Sequence, residues 1–292
     1  MITTVMRIAH LIIAHKNPMQ LERLIKRMQH HSFDFYIHID KKIDIEQFLF
    51  LKKYKQVHFI EKRIKCNWGG FSTLQAMLNS LEEVLETGIE YGFYNLLSAQ
   101  DYPIKTNEAI YAYFSKHADK SFIFYEPKEE SNWWSEAVLR YEKYHLTESS
   151  FTGKFFVEKI INKVLPKRKF PLSLKIYGGS KASWWSLNRE SAAYLVDFMN
   201  EKKELHNFLK YCWGTDEFVI PSILMNSPLK SQIVNNNLRY IDFPPGKANP
   251  RILESADLEK LISSDMLFAR KFDTEVSIVV LDQIDEQLEA QQ

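Results

Sequence analysis

Carboxylates and cations set among aromatic residues mark three places in this chain of 292 residues. Asp216 and Glu217 stand side by side in Trp213-Gly214-Thr215-Asp216-Glu217-Phe218. Neighbours in sequence point in different directions, so the pair does not form the two facing carboxylates of a glycosidase. The competing reading is a helix start, with Thr215 as the cap and both acids at the positive end of the dipole. Pro221 would then kink that helix or delay its start. Further on, Arg251 and the run Ala269-Arg270-Lys271-Phe272-Asp273 set cations beside apolar anchors. Arg and Lys converging on one point suit a phosphate or diphosphate, although solvation at the surface is the default for each alone. The third group follows apolar runs: His15 and Lys16, Asp40, and Ser98 to Asp101. An Asp at a strand end can accept hydrogen bonds from a ribose or a base, or simply cap a helix.

Other chemistries lose support. There is no Gly-x-Gly-x-x-Gly, no Gly-Lys-Ser/Thr and no Gly-x-Ser-x-Gly, which counts against the usual dinucleotide, P-loop and α/β-hydrolase sites. His and Cys are not spaced as zinc ligands, and no Asp-x-Asp occurs. With 38 Lys+Arg against 37 Asp+Glu, the chain lacks the basic excess of a dedicated nucleic-acid binder. Two cysteines, Cys66 and Cys212, make no disulfide framework and fit a reducing compartment. No apolar run nears the roughly 18 residues of a membrane span. Leu11 to Ala14 is too short for a signal-peptide core. The expectation is a cytoplasmic globular protein.

The elements that must position these residues alternate between short apolar runs and helix-period segments, the mark of an α/β fold. Arg7–Ala14, Phe33–Ile39, Val57–Ile60, Phe93–Ser98 and Phe122–Tyr125 read as strands. Asn17 offers a cap and Pro18 a first position for a helix carrying Leu21, Leu24, Ile25 and Met28. A longer helix is predicted over Ser72–Glu86, and another after Asn107. In the second half Trp184–Leu187 is a strand candidate and Asn188 caps a helix with Ala192, Leu195, Val196 and Met199 inward. Asn235-Asn236-Asn237 and Phe243-Pro244-Pro245-Gly246 mark loops. These elements predict one domain over 1–292, a mostly parallel sheet with helices on both faces and ligands at the carboxyl ends of its strands.

Seven blocks, in order, give the chain its resemblance to a known family. They are Ile8-Ala9-His10 to His15, Tyr36-Ile37-His38-Ile39-Asp40-Lys41-Lys42, and Trp68-Gly69-Gly70-Phe71-Ser72 with Gln75-Ala76. Next come Leu97 to Asn107 and Ser183-Trp184-Trp185-Ser186-Leu187-Asn188-Arg189-Glu190. Thr215-Asp216-Glu217 and Leu267 to Asp273 complete them. The sequence resembles the Core-2/I-branching glycosyltransferases, the group that also holds the protein xylosyltransferases.

That resemblance implies a GT-A-like fold and inverting transfer of a sugar, such as N-acetylglucosamine or xylose, from a UDP-sugar to an acceptor hydroxyl. It implies no cofactor and no divalent metal, in keeping with the absent Asp-x-Asp. The catalytic base would be Glu217, and the diphosphate would meet Arg251 and Lys271, with Lys247 a nearby competitor for the arginine's place. Ala14, His15 and Asp40 would line the nucleoside pocket within a nucleotide-binding half, 1–126. The acceptor and catalytic half, 127–292, would use Glu136, Arg140 and Tyr141, with Asp101, Tyr102 and Trp184 beside them. Trp184, Trp185, Trp213 and Tyr102 are candidates for stacking on sugar faces, with core packing the alternative for each. The expected acceptor is a glycan or lipid-linked glycan in surface polysaccharide synthesis, with no nucleic acid involved. A silent sugar- or nucleotide-binding protein on the same fold is the alternative from another class. From Lys154 to Lys175, seven cations and one acid interleave with Phe155, Phe156, Ile160, Ile161 and Val164. That is the pattern of a basic helix lying on a membrane surface, or of a solvated, partly buried one.

Overall fold

The computed structural model describes residues 5–127, 131, 133–244, 246, 247 and 249–291. Pro245 of the predicted loop and four residues of the 127–150 stretch (128–130 and 132) lie outside the described residues. Among the described residues ten strands form: β1 (Arg7–Ala14), β2 (Phe33–Ile39), β3 (Val57–Phe59), β4 (Tyr91–Ser98) and β5 (Asp101–Pro103) come first. They are followed by β6 (Ser121–Ile123), β7 (Ser186–Asn188), β8 (Ile233–Asn235), β9 (Arg239–Ile241) and β10 (Phe268–Arg270).

Seven of them join in the order β3-β2-β1-β4-β7-β6-β8. Strand β1 pairs in parallel with β2 and β4, β2 with β3, and β6 with β8. Only β7 runs against its neighbours β4 and β6, so the sheet is mostly parallel as expected. Alternation along β1 explains why both faces are covered. Ile8, Ile12 and Ala14 enter one core with Leu21, Leu24, Phe114, Val280 and Ile284. Ala9 and Leu11 enter the other with Leu74, Leu81, Leu195 and Ile223. The helices Pro18–Arg27, Asn107–Lys116 and Thr274–Glu289 therefore cover one face. Phe71–Glu86, Arg189–Glu201 and Val219–Met225 cover the other.

Two local expectations are corrected. Asn17 does precede Pro18, but it sits in the left-handed region at φ 53° and its side chain makes no capping bond. Its carbonyl accepts from Leu21 N instead, at 3.1 Å. The aromatic ends assigned to strands also leave the ladder: Tyr125 N donates to the Asn235 side chain at 2.9 Å, beyond the end of β6. Asn188 behaves as predicted, accepting from Ser191 N at 2.9 Å.

The remaining strands make a small sheet, β5-β10-β9, antiparallel between β10 and β5 and parallel between β10 and β9. Arg239 on β9 fastens it to the large sheet. Its guanidinium is fully buried and donates to Ser186 Oγ at 2.9 Å, Leu96 O at 2.6 Å and Trp185 O at 3.2 Å. It also donates to Asn95 Oδ1 and Asn237 O, and Asn95 is bonded in turn to the His10 ring at 2.9 Å. Burial pushes the guanidinium down to about 9, against the pull of the nearby Asp101 charge.

Arg239→Ala would strand several buried acceptors, at about 1–3 kcal/mol each. The expected loss is about 3 kcal/mol or more in chemical denaturation. Arg239→Lys should recover little of it, because one ammonium cannot span the fork's partners. A loss below about 1 kcal/mol for the alanine variant would contradict this role.

Candidate active site

Because β1, β2, β4 and β6 are parallel, their carboxyl ends meet along one edge. Antiparallel β7 brings Ser183 to Trp185, the residues before it, to the same edge. Backbone bonds stitch the strand ends together: Asp40 N to Ala14 O at 2.9 Å and Ala99 N to Ile13 O at 3.1 Å. Ala14 is thus fully buried, its carbonyl already engaged. The Asp40 carboxylate accepts from Lys42 N at 2.9 Å and Cys66 N at 3.3 Å. Desolvation, then the Lys16 and Lys271 charges, lower the His15 pKa, while Asp40 opposes them. His15, Lys16, Asp40 and Lys271 therefore share one neighbourhood.

Lys16 is paired with Asp273 at 2.6 Å. Burial lowers the Lys271 pKa, and Arg270 and Lys16 lower it further against Asp273. A half-buried ammonium beside other cations is a place that favours an anion. Arg251 departs from expectation. Its Nε donates to Asp242 at 2.6 Å, and its Nη atoms hold both Asp257 oxygens, Nη1 at 2.7 Å. Two carboxylates already answer its charge, although Leu253 N bonds Lys271 O at 2.9 Å and keeps this segment beside the cations. Lys247 is exposed. Arg270, buried between Asp101 and Trp184, and Lys16 are better placed than Arg251 beside Lys271.

The acidic pair lies on a 3-10 turn, Thr215–Glu217. Gly214 begins it at φ 61°, a left-handed conformation that disfavours other residues. A Cβ there would also overlap the Arg140 guanidinium. Gly214 N bonds Gly69 O at 2.7 Å, and Trp213 N bonds Arg140 O at 3.0 Å. Arg140 Nη1 at 2.6 Å and Trp133 Nε1 at 3.0 Å both donate to one oxygen of Glu217, Oε2. The Arg140 guanidinium lies 4.5 Å from the Trp213 ring centre and 5.0 Å from that of Trp133. Gly178 backs the turn so closely that a Cβ would fall 2.6 Å from Glu217 O and from Trp133. Burial raises Glu217 to about 7, with Asp216 adding to the rise and Arg140 and Trp133 resisting it.

Asp216 turns elsewhere and accepts from Ser183 Oγ at 2.7 Å, so the two acids face different groups, as adjacency demands. Thr215 is no cap: its hydroxyl is buried without a partner among the described residues, and Gly214 occupies the cap position. The helix starts late, at Val219, leaving Pro221 in the first turn where no intrahelical N–H is needed.

The other predicted residues divide. Asp101 is buried, accepts from Ser98 N at 3.0 Å and Ser98 Oγ at 2.9 Å, and pairs with Arg270 at 3.1 Å. Arg270 lies 3.8 Å from the Trp184 ring centre, so Asp101 and Trp184 hold a cation at the site edge. Tyr102 points the other way, as strand alternation requires. Its hydroxyl bonds Asp285 at 2.8 Å and Arg23 at 3.3 Å, and its ring is 2% exposed, so it cannot stack on a sugar. Trp185 is likewise core, at 0% exposure. Tyr141 packs on Phe170 and Phe218. Glu136 is exposed.

The sequence reading gave no role to Trp133 or to the Trp68-Gly69-Gly70-Phe71-Ser72 block. Glu148 holds that block, accepting from Ser72 N at 2.7 Å and Asn67 Nδ2 at 2.8 Å. The block in turn supports Trp213, with Trp68 packed edge-on against it at 5.5 Å. Two adjacent tryptophans in a stretch without periodicity were the only sequence signal for Trp133.

Several known proteins are similar to this chain in sequence. Rat xylosyltransferase 2 is 29% identical over 301 residues, covering 96% of this chain but 33% of its own length. Human xylosyltransferase 2 gives 29% over 302 residues, with the same coverage of each. Dog xylosyltransferase 1 gives 26% over 311, covering 98% of this chain and 31% of its own. The chain thus spans about a third of the length of the curated relatives it matches. Apo mouse xyloside xylosyltransferase 1 superposes on 78% of this chain and 84% of its own at 10% identity, with a TM-score of 0.34. The model of the Core-2/I-branching enzyme family matches residues 8–262, from the first strand through the carboxylate turn and past Arg251. The chain belongs to the Core-2/I-branching enzyme family.

Proposed function

We propose that this chain is a GT-A-like, inverting glycosyltransferase that moves a sugar from a UDP-sugar to an acceptor hydroxyl without a divalent metal. The observation that carries the reading is Glu217, a carboxylate lifted to about 7 and gripped through Oε2 alone among the described residues. Oε1 remains for an acceptor hydroxyl. As that oxygen attacks the anomeric carbon, its proton passes to Glu217 and the bond from the sugar to the diphosphate breaks on the opposite face. UDP leaves with the bond's electrons. Lys271, Lys16 and Arg270 then meet the growing charge where a metal would otherwise stand. Diphosphate would have to displace Asp273 from Lys16, which gives donor binding an internal competitor.

The names of the relatives make UDP-xylose the first donor to test, with UDP-N-acetylglucosamine beside it. The acceptor is proposed to be a glycan or a lipid-linked glycan, and the nucleoside is proposed to lie between His15 and Asp40.

Glu217→Gln keeps the shape of the side chain and loses the base, so turnover should fall by about 10²–10⁴-fold while UDP binding is unchanged. Lys271→Ala should do the reverse, weakening UDP at least tenfold by calorimetry, on the scale of one charge-assisted contact. A Glu217→Gln enzyme keeping more than about a tenth of the wild-type rate would remove Glu217 as the base.

Metal-stripped protein should keep its transfer rate in excess EDTA. Loss of activity restored only by manganese or magnesium would overturn the metal-free reading.

A further inference from the structure

The helix Lys154–Val164 is amphipathic in an inverted sense. Lys154, Glu158 and Asn162 face the protein, while Phe155, Phe156, Ile160 and Val164 face outward. Lys154, Glu158 and Asn162, four apart and so on one stripe, bind the segment Tyr144–Ser149. Lys154 donates to Thr147 O at 3.0 Å and Ser149 O at 2.9 Å, and Glu158 accepts from Leu146 N at 2.7 Å. Asn162 exchanges bonds with Tyr144 N at 2.8 Å and Tyr144 O at 2.7 Å. No residue of the helix is buried.

On the outer side Phe156 is 69% exposed, Ile160 46% and Val164 74%, again four apart. Phe155 adds a second exposed ring at 67%. Lys159 and Lys163 stand exposed alongside that stripe, and the single carboxylate of the helix, Glu158, is turned inward. The sequence pattern over 154–175 is therefore narrowed: the helix ends at Val164 and several later cations are engaged. Arg168 lies 3.8 Å from the Phe208 ring centre, and Lys167 pairs with Glu142 at 2.7 Å.

We propose that the outer face of Lys154–Val164 docks this chain on an anionic lipid surface, with Phe156, Ile160 and Val164 entering the headgroup boundary and Lys159 and Lys163 meeting lipid phosphates. Exposed apolar side chains flanked by lysines, with no acid on the same face, complement a surface that is negative outside and apolar beneath. A second copy of the chain is a poorer occupant, because a symmetric pairing would set Lys159 and Lys163 against themselves. Among the described residues no helix is long and apolar enough to cross a membrane, so the contact is peripheral. The proposal goes beyond sugar transfer and holds whether or not Glu217 is the base.

The test is co-sedimentation of the whole chain with phosphatidylcholine vesicles, with and without phosphatidylglycerol. Binding should appear only with the anionic lipid and should weaken as salt rises, because exposed charges are screened. Lys159→Gln with Lys163→Gln should lower the partition coefficient about twenty-five-fold, on a scale of about fivefold for each surface lysine. Phe156→Ser with Ile160→Ser should lower it at least tenfold. Both pairs change only exposed side chains, so circular dichroism and Tm should match wild type. Three outcomes would overturn the proposal: no binding to anionic vesicles at low salt, binding indifferent to both pairs, or a dimer in sedimentation velocity that Phe156→Ser dissolves.

Discussion

A buried guanidinium ties the small sheet to the large one. Arg239 sits in the core with no carboxylate bonded to it, its donors shared among backbone carbonyls, Ser186 and Asn95. Burying such a charge is costly, and the cost is tolerable only where acceptors are at hand: five meet its two Nη atoms, while Nε has no partner among the described residues. That condition fixes β9 against β4 and β7. It thereby fixes β10, which pairs with β9 and carries Arg270 and Lys271 to the sheet edge. The cations of the proposed donor side are thus placed from the interior, by a residue that does not itself reach the site.

The carboxylate is placed from the opposite direction, by close approach. Three glycines let backbone and rings press together around it: Gly69 against Trp213, Gly178 against Glu217 and Trp133, and Gly214 against Arg140. Within that packing two effects compete. A bonded arginine ordinarily depresses a carboxyl pKa by one to three units, whereas burial raises it. Here burial is the larger, and Asp216 helps it, so the group settles at about 7 rather than below 4. A base in that range can accept a proton and also exist deprotonated at neutral pH. Arg140, between two tryptophans, supplies orientation more than acidity.

How much of this was legible in the sequence follows from where each signal resides. Strands β1, β2 and β4 announced themselves because strands covered on both faces are mostly apolar runs, interrupted here only by residues such as His10, Asp34 and Asn95. The helix after Asn188 did so through a cap and its spacing. The small sheet was illegible, because three-residue strands from distant parts of the chain carry no periodicity of their own. With it went Arg239, which reads in isolation as a surface cation, and Tyr102, whose inward direction follows only once β5 is known. Arg251 was matched by position to a diphosphate role, but its pairing with Asp242 and Asp257 is a tertiary fact. Glu217, Lys271, His15 and Asp40 were legible because each lies in a short block with its own residue pattern. That His15, Asp40 and Lys271 share one neighbourhood was not.

The central claim is that one ionisation, that of Glu217, gates transfer. It is tested most directly by the pH dependence of kcat/KM on the UDP-sugar that supports turnover. The rate should rise tenfold per pH unit at acid pH and level off above an apparent pKa near 7, the carboxylate form being the active one. Glu217→Asp, if it turns over at all, should keep the shape of the profile with a shifted midpoint. A wild-type profile flat from well below to well above 7, or one rising toward acid, would contradict the account.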